Sequence, residues 1–193
     1  MTTRRYLLQA TNTFAAVIVR NDDSKLLSRL GHDHVVRARE FTSTIALDVD
    51  QLEQMRFAFS FAVDAMAVDE PNDRVRVDLD PDVSSRDRKQ TRDNMLGRGQ
   101  LDAKRHGNID FRVDGARPGD DGKWLLMASL TIRQKRFEFD FPVDIQIKPH
   151  LRVRGEVELT HGDLGLKPYR APMGTLKNKE ELTFVVDVDA APL

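Results

Sequence analysis

The chain has no cysteine. Disulfides, thiolate nucleophiles and thiolate metal sites are therefore excluded. It also has no long hydrophobic run: nothing approaches the ~20 consecutive apolar residues that a membrane-spanning helix needs. Neither sign of charge dominates, since 30 basic and 31 acidic residues leave a formal net charge of −1. Nucleic acid therefore finds no electrostatic footprint here. Arg4 and Arg5 precede Tyr6-Leu7-Leu8, but Gln9, Thr11, Asn12 and Thr13 interrupt the run. The unbroken apolar core of ~7–15 residues that a secretory signal requires is missing. The expectation is a chain made without a signal that stays in the cytoplasm. A Gly-x-Ser-x-Gly element, a phosphate-binding glycine loop, internal repeats and low-complexity linkers are likewise missing. The length of 193 residues suits one domain spanning 1–193.

What the chain does have is alternation. From Lys135 to Thr160, Phe137, Phe139, Phe141, Val143, Ile145 and Ile147 fall on one face, and Glu138, Asp140, Asp144, Gln146 and Lys148 on the other. After Pro149-His150 the pattern restarts, with Leu151, Val153, Val157 and Leu159 set against Arg152, Arg154, Glu156 and Glu158. Period two of this length means strands with one face buried and one in water, here joined as an antiparallel hairpin. Phe14 to Val19 reads as the first firm strand, with a short one at Tyr6 to Ala10 before it. Ile45, Leu47 and Val49 share a face, and so do Phe57, Phe59, Phe61 and Val63. Ala58, Ser60 and Ala62 between those phenylalanines suggest close packing or a covered surface. Ile109 to Val113, Trp124 to Ile132 and the stretch from Leu182 complete the set, with Gly119 to Gly122 as a turn. Lys25 to Leu30 leads into Gly31, and Thr160 to Lys179 is a loop-rich segment carrying Pro172 and Gly174.

Pro71 to Ser85 is an acidic connection in which Val75, Val77 and Leu79 suggest a brief strand. Asp87 to Leu96 is the one convincing helix, capped by Ser84 or Ser85 and ended by Gly97. Its first turns are polar, so it belongs on the surface or across an opening. About eight strands spaced by turns predict an all-β fold, either a sandwich or a closed antiparallel barrel. The phenylalanines then have two readings: they fill the core, or they line a cavity that an eight-stranded barrel has room to hold.

Three stretches resemble a known family. They are Gly31-His32-Asp33-His34-Val35-Val36 leading to Phe41 and Ile45; Arg92-Asp93-Asn94-Met95-Leu96 with Leu101-Asp102-Ala103 and Ile109-Asp110-Phe111-Arg112; and Gly155 to Leu159 with Asp163-Leu164-Gly165-Leu166-Lys167-Pro168-Tyr169. Their order and spacing, from about Phe14 to Ala190, are similar to the YceI-like, or polyisoprenoid-binding, family. The resemblance implies a lipocalin-like antiparallel β-barrel with one short surface helix beside it. It also implies an apolar interior that binds a polyisoprenoid or other long-chain lipid, with no catalytic constellation and no cofactor. On that basis the lining is expected from Phe57, Phe59, Phe61, Ile109, Phe111, Phe139, Phe141 and Phe184. The expected partners are the lipid and, at most, a second copy of the chain as a homodimer. Two departures stand out: relatives often carry a secretory signal, and often place Gly where this chain has Arg133-Gln134-Lys135-Arg136 and Ser43.

The competing chemistry rests on histidine. His32 and His34 are two apart and would share a face on a strand, as a pair of metal ligands could. A third ligand would have to be His161, Asp163 or His106, and no spacing singles one out. The expectation is no tightly bound metal, with a metal-binding or enzymatic site at the barrel rim as the alternative. The carboxylates alternate onto outward faces or lie in loops, which fits solvated surface better than hydrolase pairs. The basic clusters at Arg86, Arg88, Lys89 and Arg92 and at Arg133, Lys135 and Arg136 read as solubilising, or as contacts for a lipid head group if they border the barrel mouth.

Overall fold

The computed structural model describes residues 3–22, 24, 31–171 and 176–193. The Lys25 to Leu30 stretch, Asp23 of the first turn, and Pro172 and Gly174 of the late loop lie outside the described residues. Among the described residues there are eleven strands: β1 (Thr3–Gln9), β2 (Thr13–Asn21), β3 (His34–Arg37), β4 (Thr42–Asp48), β5 (Phe57–Ala62), β6 (Ala67–Val68), β7 (Asn108–Pro118), β8 (Trp124–Ile132), β9 (Lys135–Gln146), β10 (Leu151–Thr160) and β11 (Asn178–Ala190). Nine of them form one antiparallel sheet in the order β5-β7-β8-β9-β10-β11-β2-β3-β6, and β1 and β4 pair separately as a ribbon. The fold is all-β, as the alternation predicts, with the sheet curled into a half-barrel. Its two edge strands, β5 and β6, are separated in the chain only by residues 63–66, so the sheet returns close to where it began.

The ribbon stands where the curl would otherwise be open. Ser43 donates its hydroxyl to the Ala58 carbonyl of β5 at 2.9 Å. At the far side Tyr6 bridges to Pro192, just past β11. Tyr6 lies opposite Ile45 in the register, and both are buried, as are Leu8 and Leu47. Burying side chains of this size stabilises by about 1.5–3 kcal/mol each, which is what holds a two-stranded ribbon in place.

Most of the interior is packed in two clusters. One joins the ribbon residues to Met55, Val113, Leu126, Val143 and Leu151. The other joins Val63, Met66, Leu101, Ile109, Leu130, Ile132, Leu164 and Leu182. Helix α2 (Ser85–Leu96) rests on the second cluster through half-buried Met95 and Leu96, and buries no residue fully. Its start is fixed by Ser84, whose hydroxyl oxygen accepts from the Asp87 N–H at 3.1 Å.

Two expectations need correction. Val75 and its neighbours form no strand: Pro71–Arg76 is the short helix α1, with Pro at the first helical position. Proline preset for that position outweighs three alternating apolar residues. Val75 is exposed, while Val77 and Leu79 cover Phe14, Ala16 and Val35 on the outside of the sheet. Ala58 and Ser60 are exposed, so their small size reflects no covering layer. The central hairpin is antiparallel, as the alternation predicts, with a ladder of four residue pairs from Arg152 with Gln146 to Gly155 with Val143. Beyond Gly155 the strands part, and β10 stays with β11 along its whole length. The segment after β10 folds back there, bringing Gly165 against the Phe137 ring of β9.

The turn between β8 and β9 places Arg133 and Gln134 at φ of 51° and 64°. Both residues of this tight hairpin are left-handed, a geometry to which glycine is suited.

Candidate functional site

The two clusters do not meet solidly. Between them lies a cavity of about 240 Å³, walled by strands of the main sheet, the β1–β4 ribbon and the cap that follows α2. All eight residues expected to line an interior do line it. Phe57, Phe59 and Phe61 come from β5, Ile109 and Phe111 from β7, Phe139 and Phe141 from β9, and Phe184 from β11. Period two puts them there: each strand turns these positions inward and sends Asp110, Arg112, Glu138 and Asp140 to water.

The burial pattern explains why this is a void. Val113 and Val143 are fully enclosed. Phe57, Phe59, Phe61, Phe111, Phe139 and Phe184 face the same way and stay half-buried. Interiors pack at crystal density, so an inward phenylalanine that keeps accessible surface borders unfilled space. The rings brace one another: Phe59 and Phe111 have centroids 5.2 Å apart, and Phe139 and Phe141 6.2 Å apart. An apolar cavity of ~150 Å³ already stays dry and takes up benzene. This one has room for a slender chain segment.

Only three polar residues reach the wall among the described residues, namely Thr13, Gln100 and His161, and no charged one does. Thr13 donates its hydroxyl to Asn12 Oδ1 at 3.1 Å. Gln100 donates Nε2 to the Lys167 carbonyl at 3.0 Å. His161, nearly fully buried, donates Nδ1–H to the Glu180 carbonyl at 2.9 Å. Met95, Gln100, Leu101, His161, Leu164 and Leu166 join the wall from the helix and the loops. Alternation cannot announce these positions, because residues outside strands have no period-two face to read.

The histidines do not assemble. His32 is exposed and lies outside β3, which begins at His34. His34 holds its Nδ1 2.7 Å from Asp69 Oδ2. His161 is committed to Glu180, and Asp163 accepts from the Thr160 N–H at 2.7 Å, which holds its carboxyl below the usual range. Among the described residues, no group of three His, Cys, Asp or Glu is placed to hold a metal.

Asp69 forms a different centre, on the outside of the barrel wall. It has no exposed surface and accepts from His34, from the Val35 N–H at 3.0 Å and from Arg74 Nη1 at 2.7 Å. Burial pushes its carboxyl up, but the bond and charge of His34, with Val35 and Arg74, outweigh that and hold it below the usual range. Arg74 extends the network to the Asp33 carbonyl at 2.6 Å. This network ties α1 to β3.

The basic clusters are largely committed to their neighbours. Lys89 pairs with Asp93 at 2.6 Å, Arg92 donates to the Asp64 carbonyl, and Arg136 lies 2.7 Å from Asp114. Among the described residues, no helix is long and apolar enough to cross a membrane.

No protein-family model matches the sequence, and no curated protein does. Solved structures do. The chain is similar to Burkholderia cenocepacia BcnA at 13% identity and a TM-score of 0.65, covering 93% of this chain and 96% of that one. A polyisoprenoid binding domain from Saccharophagus degradans, implicated in plant cell wall breakdown, aligns at 9% identity and a TM-score of 0.59 over 99% and 100% of the two chains. The Campylobacter jejuni YceI protein aligns at 10% identity and a TM-score of 0.54, over 81% of this chain and 83% of that one. Sheet order, cavity and these alignments lead to one conclusion: in its fold, the chain is YceI-like.

Proposed function

We propose that the protein binds a polyisoprenoid or similar long apolar lipid inside the half-barrel, and carries or sequesters it without chemical change. The observation that carries this reading is the belt of inward phenylalanines left half-buried around an apolar cavity. Apolar area removed from water contributes about 25 cal/mol per Å², so a chain laid along these rings gains affinity from burial alone. The similarity to a polyisoprenoid binding domain supports the same ligand class. The wall supports binding over catalysis: it offers no carboxylate among the described residues, and its one hydroxyl, on Thr13, is donated to Asn12. The test is solvent extraction of the purified protein followed by mass spectrometry of the extract. A stoichiometric long-chain lipid is the expected result. A protein that neither carries nor takes up any apolar chain would exclude the proposal.

A further inference from the structure

We propose that His161 reads the head group of the bound chain by accepting a hydrogen bond from a ligand hydroxyl, so that the protein prefers a chain alcohol or phenol to a chain phosphate. This rests on the lipid-binding reading and adds to it a head-group class and a specificity residue.

The argument begins with one proton. Glu180 offers a backbone carbonyl to Nδ1 at 2.9 Å. A carbonyl only accepts, so Nδ1 carries the hydrogen. In the neutral ring Nε2 is then a lone-pair acceptor, its role set by what the other nitrogen does. The one side-chain hydrogen bond found for His161 among the described residues is this bond of Nδ1. The residue is 5% exposed and forms part of the cavity wall, and we place the partner of Nε2 in that cavity. An acceptor left unpaired in an apolar chamber is costly, and a hydroxyl hydrogen satisfies it.

The surroundings sharpen the choice. Gln100 also reaches the cavity, and its Nε2 is donated to Lys167, which leaves Oε1 as a second acceptor. No lysine or arginine lines the wall among the described residues. A phosphate taken inside would lose its water and find no countercharge, which is prohibitive for an ion. A hydroxyl brings its own donor and no charge. The remaining polar wall residue, Thr13, has its hydroxyl hydrogen committed to Asn12. His161, Gln100 and the Thr13 hydroxyl oxygen thus each keep an open acceptor on the wall, and the imidazole nitrogen is the most basic of the three.

The probes are a C15 isoprenoid alcohol, its methyl ether and its monophosphate, titrated calorimetrically into the full chain after its own lipid has been removed on a hydrophobic resin. Wild type is expected to bind the alcohol about fivefold to tenfold more tightly than the ether, the range of one hydrogen bond, with the monophosphate weakest. In His161→Phe the alcohol and ether should bind alike; in His161→Gln, which restores an acceptor, part of the preference should return. The ether comparison in the unaltered protein keeps the test valid even if a variant folds poorly. Equal binding of alcohol and ether in wild type would overturn the role of His161 and leave lipid binding intact. Tighter binding of the monophosphate would overturn the head-group class. Failure of all three probes would overturn both this proposal and the lipid-binding reading beneath it.

Discussion

The ring of Phe41 stacks on that of Phe59, with centroids 4.9 Å apart and planes 20° from parallel. Phe41 leads into the ribbon strand β4, and Phe59 is in β5 at the edge of the main sheet, so the pair closes the seam between them. The two rings differ in one respect: Phe41 is 3% exposed, while Phe59 borders the cavity. Phe41→Ala is expected to cost about 3–5 kcal/mol, the usual loss for a packed phenylalanine. Phe59→Ala should cost about 1–2 kcal/mol, because part of its surface was never packed. Urea unfolding of the two variants measures the difference. Equal losses would mean that the interior is filled.

Phe139→Trp tests the same void from the other side. Extra atoms in a filled core cost about 1–3 kcal/mol. Here the indole enters open space, so stability should change by less than about 1 kcal/mol while retention of copurified lipid falls. Thermal melting and lipid extraction on the same sample give the two readouts. Clear destabilisation with lipid retention unchanged would contradict the geometry.

Gly155 is where β9 and β10 part. A methyl group there would lie 2.3 Å from the Pro142 carbonyl oxygen and 2.7 Å from Val143 Cγ1. Gly155→Ala should lower stability by about 1–3 kcal/mol, since backbone has to move to admit it. Gly162→Ala is the control: its nearest contacts would be 3.6 Å away. Comparable melting temperatures for the two variants would remove the steric argument.

Asp69 makes stability depend on acid. Its folded carboxyl is held below the ordinary value, so its contribution is complete above the unfolded pKa of ~3.9. It is lost as pH falls through the lower folded value. Stability should therefore decline below about pH 4, more steeply in wild type than in Asp69→Asn. That variant should also lose about 3–5 kcal/mol at neutral pH, because it leaves Arg74 buried without its anion. Urea unfolding at several pH values gives both numbers, and an unchanged acid slope in Asp69→Asn would place the dependence elsewhere.

Much of the wall was legible residue by residue. Phe139 and Phe141 alternate with Glu138 and Asp140, and period two alone assigns one pair inward and the other outward. Ser84 before Asp87 likewise announces the start of α2, because capping is satisfied within one turn. Alternation states which way a side chain points, not what stands opposite it. Whether Phe139 meets another ring or empty space depends on how far the sheet curls, and only the tertiary structure decides that. The same limit hid the pairing of Tyr6 with Ile45 and the bond between His34 and Asp69, each made across more than thirty residues of chain. At Val75 the local signal was itself divided, and Pro71 settled it for helix. His161 shows the remaining gap: the sequence supplies an imidazole, but only the fold commits one nitrogen to Glu180 and sets the ring in the cavity wall.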